Sequence, residues 1–82
     1  MVLEENWAVS EARIRAFFLE QPDVAALPQG FRFGSCSITL TPTTGSAGPF
    51  PVARTIVRMD GPEEAVRAIH QRFFLRFLSA GG

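Results

Sequence analysis

The sequence contains no lysine and no tyrosine, and it has only one cysteine and one histidine. A lone cysteine, Cys36, excludes an internal disulfide, and Cys36 with His70 is too small a ligand set for a zinc site within one chain. No apolar run approaches the ~20 residues that a membrane-spanning helix needs. These absences exclude a disulfide scaffold, an intramolecular zinc domain and a transmembrane helix.

Other absences bear on location and origin. No signal peptide is visible in residues 1–10, and a single cysteine suits a reducing compartment, so we expect a cytoplasmic protein. All eight basic side chains are arginine, a bias typical of a GC-rich bacterial genome. A thermophilic source is an open alternative, although the replacement of lysine by arginine is not a dependable marker of one.

Apolar side chains, in contrast, are abundant. The 82 residues are 46% hydrophobic and include eight phenylalanines, which is too apolar for a disordered chain and predicts a single domain over residues 1–82. A chain this short buries only about 60% of the surface that it exposes when unfolded, so its core is marginal by itself. The formal net charge is zero, with acids in excess before residue 32 and arginines in excess after it. Head-to-tail attraction between two copies is compatible with that asymmetry.

The most informative segment covers residues 60–78. Asp60 or Gly61 can cap a helix there, and Pro62 suits its first position, where a missing N–H costs nothing. One buried stripe at helical spacing is formed by Val66, Ile69, Phe73 and Phe77. The segment therefore predicts an amphipathic helix that packs on a core.

This helix carries more large apolar side chains than one face can hold. Phe74, Leu75 and Leu78 fall outside the stripe, and a small monomer has difficulty covering them. We therefore predict that they contact a second copy of the chain. Val52 and Ile56 extend that contact if their face of the sheet is also covered.

An earlier helix precedes the predicted strands. Ser10 is a plausible N-cap, with Asn6 as a rival, and Pro22 ends the helix. Its inner stripe is Ile14, Phe17 and Phe18, with Ala16 and Leu19 beside it. Residues 23–27 are compatible with one further helical turn. Residues 1–9 are compatible with a short strand or with an irregular segment that leads into the helix.

Two strands follow, joined by a loop. A bulge near Gly34 in residues 31–41 would bring five apolar side chains onto one face: Phe31, Phe33, Cys36, Ile38 and Leu40. Residues 42–51 have the composition of a mobile loop. Residues 51–59 form the second strand, with Ala53, Thr55, Val57 and Met59 facing the helices and Arg54 and Arg58 facing outward.

The resulting order is helix, strand, strand, helix. Consecutive strands should pair as an antiparallel hairpin, which gives a two-layer α+β unit. A two-stranded sheet is marginal, so we expect dimerisation to complete it. We therefore predict a homodimeric protein-interaction or structural module, in which the partner is a second copy of the same chain.

Arginine rows are the main candidates for ligand binding. Arg54 and Arg58 share a strand face, and Arg72 and Arg76 flank the stripe of the last helix. His70, at the edge of that stripe, completes the predicted ligand-binding set. Such rows can bind phosphates or an anionic ligand, which makes nucleic acid an alternative partner. The neutral net charge and the absence of a nucleic-acid motif argue against that alternative.

Catalytic chemistry has few candidates in this sequence. His70 lies at the edge of the helical stripe and would need an orienting carboxylate together with a nucleophile. Cys36 is the one thiol, and a Cys36–His70 couple stays open at this point. Because no complete acid, base and nucleophile set is visible, we predict neither an enzyme nor a cofactor.

The sequence ends in Gly81-Gly82, and this ending, with the overall length, resembles the ubiquitin-like sulfur carriers. The resemblance implies activation of the terminal glycine by adenylation and a β-grasp fold. It also implies an extended segment leading into the glycines, where the periodicity of residues 60–78 predicts a helix.

Overall fold

In the computed structural model, which describes residues 1–78, two helices pack on one face of a five-stranded sheet. The elements are β1 (Val2–Trp7), α1 (Glu11–Glu20), β2 (Ala25–Leu27), β3 (Gly30–Phe33), β4 (Cys36–Ala47), β5 (Phe50–Asp60) and α2 (Glu63–Phe77). The strand order is β1-β5-β4-β3-β2 and every neighbouring pair is antiparallel. The α+β class is confirmed, whereas the expected helix-strand-strand-helix order is wrong, because three further strands form.

Two of the additional strands lie at the edges of the sheet. The chain before α1 is a strand, because β1 pairs with β5 along its whole length, from Val2 opposite Asp60 to Trp7 opposite Thr55. Residues 25–27 pair with β3 and do not add a helical turn. They stand between Pro22 and Pro28, which leave too little chain for a stable helix. The sheet therefore reaches five strands within one chain.

A tight turn replaces the expected bulge at Gly34. Phe33 pairs with Cys36, so residues 31–41 form two strands joined through Gly34 and Ser35. Gly34 has a φ of 58°, which only glycine adopts readily and which suits the first central position of a type II′ hairpin turn. The five apolar side chains still share one face, because Phe31, Cys36 and Ile38 are buried and Phe33 and Leu40 pack against the core.

The segment expected to be a mobile loop is a two-stranded ribbon. Strands β4 and β5 continue their pairing from Thr43 opposite Arg54 to Ala47 opposite Phe50. Gly48, with a φ of 63°, closes the ribbon in a two-residue turn of the same kind. Composition was misleading here because only Gly48 and Pro49 form the turn, whereas Pro42, Gly45 and Pro51 lie within the paired strands, together with threonines that favour a strand.

The helices begin close to their predicted positions. The Ser10 hydroxyl accepts a hydrogen bond from the backbone N–H of Arg13 at 3.4 Å, so Ser10 rather than Asn6 caps α1. In α2, Pro62 occupies the N-cap position, two residues after Asp60 and one after Gly61, the two predicted caps. Leu19 was expected beside the buried stripe of α1 but is 61% exposed. Over residues 1–78, neither helix has the length and apolar character needed to cross a bilayer.

The core lies between the helices and the inner face of the sheet. Helix α1 lies over β4 and α2 lies over β5. Both predicted helical stripes are buried, as are the inward residues of β5: Ile14, Phe17 and Phe18 in α1, Val66, Ile69, Phe73 and Phe77 in α2, and Thr55, Val57 and Met59 in the strand. The opposite side of the sheet, which we call the open face, has no helix over it within residues 1–78.

Truncation of Phe73 tests this account of the core. Phe73 is fully buried against four aromatic rings, so Phe73→Ala leaves a cavity and should lower the free energy of unfolding by about 3–5 kcal/mol. Phe50→Ala makes the same change at a ring that is 70% exposed, and should cost less than about 0.5 kcal/mol. Urea unfolding measures both, and similar losses from the two variants would contradict the core described above.

Candidate functional site

The side chains predicted to form the self-contact lie on opposite sides of the molecule. Phe74, Leu75 and Leu78 are 38%, 63% and 56% exposed on the outer side of α2, and we call these three residues the α2 patch. Val52 and Ile56 are half-buried on the open face, on the other side of the sheet. One contact surface therefore cannot contain all five residues.

The α2 patch is positioned by the buried stripe beside it. Each residue turns the helix by about 100°, so anchoring Phe73 and Phe77 in the core directs Leu75 and Leu78 toward solvent. The Phe74 ring makes an edge contact with the Trp7 indole of β1, at a centroid distance of 5.9 Å. Phe74 therefore forms the edge of the patch that borders strand β1.

The arginines predicted on the strand lie on the open face, as expected from their parity. The Arg54 Nε–H donates to Asn6 Oδ1 at 2.7 Å, and its Nη2 donates to the Asn6 carbonyl at 3.3 Å. The Arg58 guanidinium lies 3.4 Å from the Glu4 carboxylate and 3.9 Å from that of Asp60. Both side chains thus already have partners within the chain.

The arginines predicted on the helix lie in the other layer. Arg72 donates two hydrogen bonds of 2.8 Å to the Asp23 carboxylate, and its guanidinium covers the Phe33 ring at 5.1 Å. Arg76 lies 5.4 Å from the centre of the Phe77 ring. The two predicted rows of arginine are therefore separated by the core and do not converge on one ligand.

His70 forms part of a small polar cluster with two residues of β1. Its Nε2 lies 2.8 Å from Glu5 Oε1, and the Trp7 indole N–H donates to the same oxygen at 3.0 Å. This arrangement orients the imidazole and holds the carboxylate between two partners. Within residues 1–78, Glu5 is the only side-chain hydrogen-bond partner of His70, so no nucleophile is paired with it.

Cys36 is buried at the start of β4, where desolvation raises the pKa of its thiol above the ordinary value. The register separates it from His70, because Glu5 pairs with Val57 whereas Cys36 lies beyond the level of Asp60. The Cys36–His70 couple is therefore not formed. Over the described residues, no group of three or more His, Cys, Asp or Glu side chains is arranged to hold a metal ion.

Sequence reasoning missed the acidic and amide partners of these groups. Glu5, Asn6 and Asp23 are 65, 48 and 49 residues away in sequence from the side chains that they bind. One signal was available for Glu5, since it occupies an inward position between Leu3 and Trp7 in an alternating strand. A carboxylate at such a position requires a donor, and the donors are the Trp7 indole and the His70 ring.

The terminal glycines, Gly81 and Gly82, lie outside the described residues. Before them, α2 extends to Phe77, so residues 72–77 are helical and do not form the extended segment implied by the likeness to sulfur carriers. Comparisons of this chain with protein families, with curated proteins and with solved structures found no match.

The Asp23–Arg72 pair generates a prediction about pH. The hydrogen bonds from Arg72 hold the pKa of the Asp23 carboxyl below its ordinary value. Its stabilising contribution is therefore complete above the pKa of the unfolded chain and disappears as the pH falls through the lower folded-state pKa. Arg72→Gln should raise the pKa of Asp23 toward its ordinary value, as measured by carboxyl carbon NMR shifts across an acid titration.

A matched control for this titration is Arg67→Gln. Arg67 is more exposed than Arg72 and pairs with Glu63 at 3.6 Å, so its removal should leave the pKa of Asp23 unchanged. An equal rise in both variants would mean that general positive charge, and not the Arg72 contact, depresses that pKa.

Proposed function

We propose that this protein is a self-associating interaction module, a homodimer whose contact surface is the α2 patch. The observation that carries the proposal is the clustering of Phe74, Leu75 and Leu78, all of them exposed, at one end of one helix. Single exposed apolar side chains are common on monomers, whereas adjoining large ones mark contact surfaces. Burial of apolar area contributes roughly 25 cal/mol per Å², so a partner that covers these side chains gains stability.

A second copy is the partner that suits this surface best. Two α2 helices packed antiparallel about a twofold axis near Leu75 bring the same patch of each copy together, as a self-complementary contact requires. The zero net charge of the chain adds no overall repulsion between copies.

Pairing of two β1 edges, which would join the sheets, is the less favourable geometry. A symmetric antiparallel pair of these strands brings their acids, Glu4 and Glu5, close to the same residues of the other copy. Like charges opposite each other destabilise a strand pair, and charged side chains commonly protect edge strands from such pairing. The sheet already has five strands within one chain, so it does not need strands from a second copy to be stable.

The proposed module acts through surface contact and not through catalysis. The His70–Glu5 pair has no hydroxyl or thiol partner within residues 1–78, so the polar cluster supports a structural role for His70. A cytoplasmic location is consistent with the single, buried Cys36, which favours a reducing compartment.

Light scattering on a sizing column, at several protein concentrations, tests the proposed dimer. We expect the unmodified chain to have the mass of two copies and Leu75→Glu to have the mass of one, because the substitution places a charge at the centre of the contact. Leu19→Glu is the matched control, since Leu19 is 61% exposed on α1 and lies outside the α2 patch. It should leave the dimer intact.

Three results would contradict this proposal. The first is a monomer at every concentration, and the second is equal dissociation by Leu75→Glu and Leu19→Glu. The third is a dimer that Leu75→Glu leaves intact, which would direct attention to the open face and to Val52 and Ile56. Circular dichroism should show the same helix content in all three proteins, because both leucines are exposed.

A further inference from the structure

A cavity on the open face is not used by the proposed dimer. Its volume is about 350 Å³, and it lies beside the hairpin that joins β2 to β3. The lining residues with relevant chemistry are Leu27, Gln29, Gly30, Arg32, Ser37 and Thr39. They provide a guanidinium, an amide and two hydroxyls together with one apolar wall.

The sheet register explains why these side chains meet. Arg32 is directly opposite Ser37 on β4, and Leu27 is directly opposite Gly30 on β3, so their side chains share the open face. Gly30 adds no side chain to fill the space. A Cβ atom there would lie 2.1 Å from the Ile38 carbonyl oxygen, so the close approach of the two backbones requires glycine.

Arg32 differs from the other seven arginines in the described part of the chain. Five of them pair with acids or an amide: Arg15 with Glu11, Arg54 with Asn6, Arg58 with Glu4, Arg67 with Glu63 and Arg72 with Asp23. Two others, Arg13 and Arg76, cover the Phe77 ring. Over residues 1–78, the Arg32 side chain has no ion pair, side-chain hydrogen bond or ring contact, and it lines the cavity.

We propose that this cavity binds a small organic carboxylate with a short apolar tail. The planar guanidinium of Arg32 matches a carboxylate through two parallel hydrogen bonds. The Ser37 and Thr39 hydroxyls and the Gln29 amide supply further donors, and Leu27 contacts the tail. The volume is at the lower end of the range for ligand sites, which suits a molecule of only a few carbons.

The sheet register places one acid, Asp60, beside the lining residue Ser37. Asp60 is paired with Ser37 across β4, on the side away from Arg32, and its carboxylate lies 3.9 Å from the Arg58 guanidinium. Arg58, which lies between Glu4 and Asp60, therefore offsets part of the negative charge of Asp60. The positive charge of Arg32 stays available to a ligand on the β3 side of the cavity.

An NMR titration of the full ¹⁵N-labelled chain with hexanoate tests the proposal, with hexanamide as the neutral control of the same shape. Hexanoate should cause saturable shifts at the amides of Gly30, Arg32, Ser37 and Thr39, and hexanamide should not. Arg32→Gln should weaken binding by at least about tenfold, because the charge-assisted hydrogen bonds are lost. Ser37→Ala, which removes one donor, should weaken it by about threefold.

The control variant is Arg67→Gln, which removes an exposed arginine from α2, in the other layer, and should leave hexanoate binding unchanged. The proposal is overturned if no saturable shift appears up to about 20 mM hexanoate. It is equally overturned if hexanamide binds as well as hexanoate, or if Arg67→Gln weakens binding as much as Arg32→Gln. The spectra themselves report whether each variant is folded.

Discussion

The packing of Phe73 is the interaction on which the rest of the structure depends. Its ring contacts Trp7 of β1, Phe17 and Phe18 of α1, and Phe77 of its own helix, with centroid distances from 5.0 to 6.1 Å. It therefore joins the first strand, the first helix and the last helix, which are distant in sequence. Once these rings fill the space between the layers, further large apolar side chains of α2 remain outside, and the α2 patch is the consequence.

Because aromatic rings fill the core, the polar side chains lie at its border. Arg72 reaches Asp23 past the end of α1, and His70 and Trp7 share Glu5 at the edge of the sheet. No buried side-chain nitrogen or oxygen within residues 1–78 lacks a partner. Because nearly every arginine contacts an acid, an amide or an aromatic ring of the chain, the number of arginines overstates how many can bind an external anion. Arg32 is distinctive because it has no such partner within residues 1–78.

The sequence predicted those features that depend on local periodicity. Helical stripes and strand parity follow from repeats of 3.6 and 2 residues, so the buried stripes of α1 and α2 were predicted correctly. In β5 the prediction was correct for Thr55, Val57 and Met59, whereas Ala53 is exposed. Strand β1 stayed one of two open alternatives, because its partner, β5, lies far along the chain. Strand β2 was missed because three residues are too few to show an alternating pattern. The pairing of Glu5 with His70 joins residues far apart in the chain, which local periodicity does not reveal. The cavity beside Gly30 is formed by two local hairpins, and it was missed because residues 25–27 were not recognised as a strand and a bulge was expected at Gly34.

The two proposed surfaces are compatible because the sheet separates them. The α2 patch is on the helical layer, whereas Arg32 and Ser37 are on the open face of the sheet. The proposed dimer of two α2 helices would therefore bury neither cavity, and the proposed ligand site of each copy would face outward. A ligand in the cavity would contact β2, β3 and β4 but not β1 or α2, so it would bind the monomer and the dimer equally well. Binding and self-association should consequently be independent, since coupling between sites requires such a difference.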